Sequence, residues 1–194
     1  MFPFLAVFII FCIVLTYYIK KGDTSQKEVM DDYFEKERLS NAVRKKDISQ
    51  LNYITIPLEK IPQKLGTQTE KDFFAFSEKT MLNLSGISNT ELKLQYGTAN
   101  LEILSEYDTN YSDLIALLPK YVDELLEAGE TDTAQMLLEF AIETKADSRT
   151  LYKQLLSLYQ DTCQLDKIDH LKTISDELPE ITKSLIQKDL SSIN

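Results

Sequence analysis

Residues 111–163 read YSDLIALLPKYVDELLEAGETDTAQMLLEFAIETKADSRTLYKQLLSLYQDTC, and this stretch decides the fold. Its apolar side chains recur at three- and four-residue spacing, which predicts helices over Tyr111–Ala128, Thr131–Lys145 and Ser148–Cys163. Only two residues separate each helix from the next. Such short connections are typical of antiparallel helical hairpins.

The helical pattern continues on both sides of this stretch. Upstream it predicts helices over Glu70–Leu84 and from Ser88 to about Tyr107, and downstream over Leu165–Glu177 and beyond Pro179. Gly and Pro together make up only 10 of the 194 residues, below the usual share of about 12%, which argues against a turn-rich β-sandwich. We therefore expect an all-α chain in which antiparallel helical hairpins stack over 70–194.

The N-terminus has a different composition. Residues 2–19 read FPFLAVFIIFCIVLTYYI and contain no charged side chain. As a helix they would span about 27 Å, enough for the core of a bilayer. Tyr17 and Tyr18 would then lie among the lipid headgroups, with Lys20 and Lys21 in the water beyond them. The sequence predicts a transmembrane helix that contacts lipid through residues 2–19.

A cleaved secretory signal is the main alternative to an uncleaved anchor. Such a signal has basic residues before its apolar run and small residues at the cleavage point. Here no Lys or Arg precedes the run, and the residues that follow its apolar part, Thr16–Tyr18, are bulky. Because basic flanks stay cytoplasmic, the lysines after the run predict an N-terminus outside the cell membrane and residues 20–194 in the cytosol. An extracytoplasmic domain behind a cleaved signal remains the alternative.

Composition divides the chain into four parts. Residues 1–21 form the anchor, and a charged juxtamembrane helix over 22–46 begins near Ser25, which has capping-box spacing to a glutamate. An extended connector over 47–69 contains two prolines and a glycine, so it cannot be one helix. A helical-repeat-like domain occupies 70–194.

Charge follows the same division. Residues 20–64 have a net charge of +2, whereas residues 65–194 have a net charge of −12. Nucleic-acid partners are bound largely through phosphate contacts with basic side chains, so this balance argues against one. We expect a solvated acidic domain that stands away from the membrane surface.

Residues suited to catalysis are scarce. The only histidine, His170, lies four residues after Asp166 on the same predicted helix face, but two ligands do not make a metal site. The sequence contains no Gly-rich phosphate loop, nucleophile elbow or His-based zinc motif. We therefore expect no enzymatic activity, no metal and no cofactor.

The pattern within residues 115–182 repeats every 34 residues. Large first-helix residues pair across this interval, namely Leu118 with Tyr152, Tyr121 with Leu155 and Leu125 with Tyr159. The turn and the small second-helix positions are occupied by Gly129, Ala134 and Ala141. The segment resembles the tetratricopeptide repeat family, whose 34-residue unit is a helical hairpin. The resemblance implies a stack of hairpins in which neighbours cover each other's apolar faces.

The second unit departs from this pattern. It has Cys163 at the turn position, Ile168 and Ser175 at the small positions, and Lys172 at the aromatic position. An ordinary helical bundle with coincidental spacing is the alternative fold.

The resemblance also implies a binding surface on the first helices of the hairpins. The candidate peptide-groove residues are Asp123, Lys153, Ser157 and Gln160, beside Ala116, Pro119 and Thr150. Lys153 is the only basic residue among them, so capture of a C-terminal carboxylate, which part of the family performs, is not expected. An acidic groove edge suits a basic or amphipathic partner segment.

Residues 82–108 add a second resemblance, to small membrane-anchored proteins of Gram-positive bacteria. That resemblance implies a location at the inner face of a bacterial membrane and no particular activity. We therefore predict a membrane-anchored adaptor for protein interactions that needs no catalysis. The alternative is a structural or assembly factor that self-associates and organises a membrane complex.

Overall fold

The computed structural model describes residues 2–191, apart from the side chains of Phe2 and residues 23–25. Within this range the chain is helical and contains no strand, so the prediction of an all-α fold is confirmed. The eight helices are α1 (Phe2–Ala42), α2 (Gln68–Ala75), α3 (Asn89–Tyr96), α4 (Leu101–Glu127), α5 (Thr131–Glu143), α6 (Arg149–Asp161), α7 (Ile168–Ser175) and α8 (Glu180–Ser191).

Contacts between residues divide the chain into two compact units. The first comprises Met1–Asp47 and Ser88–Leu101, and the second comprises Ile48–Ile87 and Glu102–Asn194. The connector predicted over 47–69 therefore packs with the helices that follow it, whereas α3 belongs with α1. Composition could not reveal this division, because it arises from contacts between residues about 50 positions apart.

In the first unit, α1 is one continuous helix. It passes without a break through the region near Ser25, where the sequence predicted the start of a second helix. The last turns of α1 pack against α3. Glu37 accepts a hydrogen bond from the Thr90 hydroxyl at 2.7 Å and pairs with the Lys93 ammonium group, and these contacts lower the pKa of Glu37, the lysine contact most.

Gly97 ends α3 and explains an error in the predicted helices. The sequence predicted one helix from Ser88 to about Tyr107, but Gly97 adopts a φ of 88° and separates α3 from α4. A Cβ atom at Gly97 would lie 2.2 Å from the carbonyl oxygen of Arg44. Only glycine allows this close approach of two backbone segments.

In the second unit, the predicted helix over Glu70–Leu84 is shorter than expected. α2 ends at Ala75, and a 3-10 turn at Phe76–Glu78 leads into extended chain. The backbone N–H of Ile54 donates to the carbonyl of Met81 at 2.9 Å and forms an isolated antiparallel bridge. The extended chain allows the successive residues Met81 and Leu82 both to be buried.

The core of the second unit is formed by α4, α5, α6, α7 and α8, together with buried residues of the connector, of α2 and of the chain that follows α2. The helix predicted over Tyr111–Ala128 is the second half of α4, while α5 and α6 end within about two residues of their predicted bounds. All six large residues that pair at the 34-residue interval are buried: Leu118, Tyr121, Leu125, Tyr152, Leu155 and Tyr159. All six belong to one hydrophobic core cluster.

The helices α4, α5 and α6 end in a common way. Each is followed by a residue in the left-handed region, with φ values of 78° at Gly129, 59° at Lys145 and 56° at Cys163. In each case the next N–H donates back to a carbonyl five residues earlier, the arrangement of a Schellman cap. These caps reverse the chain within very few residues.

Candidate functional site

The candidate groove lies along α4 and α6, where the predicted site residues are exposed. Asp123 lies on α4, and Lys153, Ser157 and Gln160 follow each other at spacings of four and three residues on α6. This spacing places the three α6 residues on one helix face. We call the surface formed by these four residues the α4–α6 groove.

Gln154 connects the two helices beneath this groove. Its side-chain Nε2 donates to the Asp123 carboxylate at 2.7 Å and to the carbonyl of Pro119 at 3.1 Å. The other amide atom, Oε1, is buried and accepts no hydrogen bond from any residue that the structure describes. Gln154 therefore fixes the position of Asp123 relative to α6, a role that the sequence did not suggest.

A cavity of about 290 Å³ adjoins the groove beside Pro119, which lies inside α4. Ala116 and Pro119, both predicted to belong to the binding surface, line it, together with Asp147 and Ser148 from the turn before α6. Proline has no N–H to donate to the carbonyl four residues earlier, so the helix leaves one carbonyl group open here. The cavity lining does not include Asp123, Lys153, Ser157 or Gln160.

Two carboxylates form hydrogen bonds between α4 and the segment Thr67–Glu70. Glu124 accepts hydrogen bonds from the hydroxyls of Thr69 at 2.6 Å and Thr67 at 2.7 Å, and these bonds lower its pKa. Glu70 is buried, and its carboxylate accepts a hydrogen bond from the hydroxyl of Tyr121 at 3.1 Å. These contacts attach the connector to α4 and support the helix on the side away from solvent.

Glu70 also accepts the backbone N–H groups of three consecutive residues, Lys64, Leu65 and Gly66, at 2.7–3.2 Å. Burial by itself raises the pKa of Glu70, but these donors outweigh it and leave the pKa below its ordinary value. A carboxylate is thus buried without a cation because hydrogen bonds satisfy it.

A second cavity, of about 200 Å³, lies between α5, α6 and α7. Its floor is apolar, and Glu139, Glu143, Lys167 and His170 are among the residues that line it. Glu139 Oε1 accepts bonds from Lys167 at 2.8 Å, Gln135 at 2.8 Å and Tyr159 at 3.0 Å. Burial raises the pKa of Glu139, but these donors outweigh it and lower the pKa overall.

The described residues contain no group of three or more His, Cys, Asp or Glu side chains placed to bind a metal ion. His170 is exposed on α7, four residues after Asp166. This pair lies near the small cavity but brings no third ligand.

Most of the tyrosines in the second unit contribute to its core. Tyr111, Tyr121, Tyr152 and Tyr159 are buried. Burial raises the pKa of Tyr111 to about 12, although its hydroxyl bonds to Thr144 at 3.0 Å. These four side chains are therefore mainly packing residues, although Tyr111 borders the 290 Å³ cavity and Tyr159 borders the 200 Å³ cavity.

The predicted membrane-interface residues lie on α1. Tyr17, Tyr18, Lys20 and Lys21 are all exposed, and the rings of the two tyrosines meet edge to face at 5.7 Å between centroids. The segment Pro3–Ala42 is long and apolar enough to include a membrane span, by its length and composition.

No protein-family model, curated protein or solved structure matches this chain. The resemblance to tetratricopeptide repeats therefore depends on residues 115–182 themselves.

Proposed function

We propose that this chain is a membrane-anchored adaptor that binds a partner protein through the α4–α6 groove. The observation that carries the proposal is the row of exposed polar side chains on α6, a helix that Gln154 joins to Asp123 of α4, beside an open cavity at Pro119. Catalysis is not required for this function.

A tetratricopeptide-like stack over 70–194 is part of the proposal. Two features support it: large residues 34 positions apart are buried together, and the turns 34 positions apart have the same backbone conformation. In such a stack the first helices form the binding surface, and here these helices are the second half of α4 and α6.

Anchoring through residues 2–19 is also part of the proposal, with the N-terminus outside and the second unit in the cytosol. The uncharged composition of these residues and the exposure of their large apolar side chains support it. The basic residues Lys20 and Lys21 support the orientation. A reporter enzyme fused to the C-terminus and active only in the cytosol tests it. An inactive cytosolic reporter, together with activity of a C-terminal reporter that works only outside the cytosol, would contradict it.

The partner's chemistry follows from charge. Residues 102–194 contain 19 acidic and 8 basic side chains, and Asp123 and Asp147 lie at the groove and its cavity. A basic or amphipathic segment would be attracted to this surface and oriented by it.

Site-specific photo-crosslinking in native membranes tests the groove. A photoreactive residue at Ser157 should yield one adduct of defined mass, whereas the same residue at Ser105, an exposed serine in the first half of α4, should not. Asp123→Lys should abolish the Ser157 adduct. Equal adducts from both positions, or an adduct that Asp123→Lys leaves unchanged, would exclude the groove as the binding surface.

Self-association is a second candidate function, and one observation favours it. Val29, Met30, Tyr33 and Phe34 expose half or more of their surface on α1. The full chain in detergent, measured by size exclusion with light scattering, should be oligomeric if this surface pairs. If the full chain is a monomer, self-association is excluded and the adaptor function is the one that remains.

A further inference from the structure

One edge of the extended segment 52–56 is open. Ile54 directs its backbone N–H to Met81, so the N–H and carbonyl of the next residue, Thr55, point to the opposite side. Thr55 is exposed, and neither backbone group bonds to another residue within 2–191. An unpaired edge of this kind can receive a further strand.

This edge borders a cavity of about 550 Å³. The cavity is lined by Asn52–Thr55, by Asn83 and by the C-terminal end of α5, and Thr55 also lines a second cavity beside Met81. Asn83 fixes the α5 side, because its Nδ2 donates to the carbonyls of Thr144 at 2.8 Å and Lys145 at 3.0 Å. The result is a groove between an open backbone edge and a helix end.

Charge in this groove favours a cation. Glu143 is exposed and has no ion-pair partner among the described residues, while Lys145, which lines the same cavity, pairs with Glu177. The C-terminal end of a helix is itself slightly negative and adds to the field of Glu143. A basic side chain in the groove would therefore be stabilised by both.

Glu143 also lines the 200 Å³ cavity between α5, α6 and α7. The floor of that cavity includes Leu155, Leu171 and Ile174, and its volume can accept one aliphatic side chain. A basic site and an apolar site therefore adjoin the same carboxylate.

We propose that this groove binds an extended peptide segment of a partner protein by β-strand addition at Thr55. A Lys or Arg of the peptide pairs with Glu143, and an apolar residue two positions away, on the same face of the extended chain, enters the 200 Å³ cavity. This site is separate from the α4–α6 groove and does not depend on it.

A designed peptide tests the charge requirement. The probe is a fluorescein-labelled nonapeptide, Ser-Thr-Lys-Thr-Leu-Thr-Lys-Thr-Ser, titrated with the full chain in a neutral detergent and followed by anisotropy. Glu143→Gln should weaken binding about fivefold and Glu143→Lys more than tenfold. The control Glu127→Gln removes the same charge from an exposed site at the end of α4 and should change binding less than twofold. An equal effect of Glu127→Gln and Glu143→Gln would show non-specific attraction and overturn the proposal.

Two N-methylated probes test the backbone pairing. One carries N-methyl groups on alternate residues including the lysines, and the other on the intervening residues. Because strand addition uses the amides of alternate residues only, one probe should lose binding at least tenfold and the other should bind within about twofold of the parent. Equal behaviour of the two probes would exclude strand addition. Asp123→Lys should leave binding of the parent probe unchanged, which separates this site from the groove on α4 and α6.

Discussion

Gly129 and Cys163 lie 34 residues apart and end α4 and α6 with the same hydrogen bonds. The N–H that follows each residue donates at 2.8 Å, from Glu130 to the carbonyl of Leu125 and from Gln164 to that of Tyr159. Both residues have a positive φ, of 78° and 56°. One turn is therefore made by glycine and its equivalent by a residue with a side chain, which is strained in this conformation.

Substitutions at these two turns should have opposite effects on stability. Gly129→Ala should reduce the free energy of unfolding by about 1 kcal/mol, and Cys163→Gly should increase it by about the same amount. Urea denaturation of the full chain in detergent measures both. Cys163→Ala retains the Cβ atom and should remain within about 0.5 kcal/mol of the parent. A Cys163→Gly variant no more stable than Cys163→Ala would show that the turn carries no strain.

Gly97 and Gly86 provide a pair of glycines with similar positive φ values. Their φ values are 88° and 82°, but a Cβ at Gly97 would meet the Arg44 backbone, whereas one at Gly86 would meet no atom within 4 Å. Gly86→Ala should cost only the conformational penalty, about 1 kcal/mol. Gly97→Ala should cost at least about 2 kcal/mol more, because two backbone segments must separate.

Hydrogen exchange measured by mass spectrometry would locate that effect. In Gly97→Ala the amides of α3 and of the last turns of α1 should exchange faster, and in Gly86→Ala they should not. Unchanged exchange in α3 after Gly97→Ala would mean that the contact with Arg44 does not hold α3 against α1.

Glu70 should contribute to stability as a carboxylate. Glu70→Gln replaces a charged acceptor of three backbone N–H groups and one hydroxyl by an amide, and should reduce the free energy of unfolding by about 2 kcal/mol at pH 7. Glu127→Gln, at an exposed site, should change it by less than about 0.5 kcal/mol. Thermal or urea denaturation measures the difference.

The pH dependence of that difference has a definite sign. The folded state lowers the pKa of Glu70 below its ordinary value of 4.5, so the stabilisation is fully present above pH 4.5. It should disappear as the pH falls through the lower, folded-state pKa. The stability gap between the parent and Glu70→Gln should therefore be constant from pH 7 to 5 and narrow below pH 4.5. A gap that widens in acid would mean that the pKa is raised.

Replacing Pro119 by alanine should make the protein more stable. It lies inside α4 and supplies no N–H to the carbonyl of Ile115. Pro119→Ala should increase the free energy of unfolding by about 1–3 kcal/mol by restoring that hydrogen bond. If the cavity beside the groove serves a partner, the same variant should also weaken the Ser157 photo-crosslink. A stability loss instead would show that α4 packs better with Pro119 than with the restored hydrogen bond.

Helix content and the residues of the core were predictable from sequence because apolar spacing is a local signal. The spacing located α5 and α6 to within about two residues, and the 34-residue interval identified six side chains that are all buried. Turn residues were partly predictable: Gly129 fell at a helix end, as expected.

Other features depended on contacts far apart in the chain. The break at Gly97 is caused by the approach of Arg44, 53 positions away, and nothing in the local sequence distinguishes Gly97 from the mid-helix Gly22. α2 ends early because the chain beyond it pairs with Ile54. Local spacing carries no information about such partners.

The candidate sites show the same limit. The exposed residues of α6 follow from helical periodicity, whereas Gln154, which fixes Asp123, looks like any surface glutamine in the sequence. Glu143 and Thr55 become noticeable only when two cavities are seen to lie beside them.

The continuous helix α1 sets a fixed phase between its two ends. Each residue of an α-helix advances the chain by about 100° and 1.5 Å, so the direction in which Glu37 faces is determined by the number of residues that separate it from the apolar N-terminal stretch. Deleting one residue in this interval would turn the α3-bearing end of the helix by more than a quarter of a circle. The length of the segment is therefore a structural parameter in itself, and loss of a residue there should be tolerated less well than substitution of several.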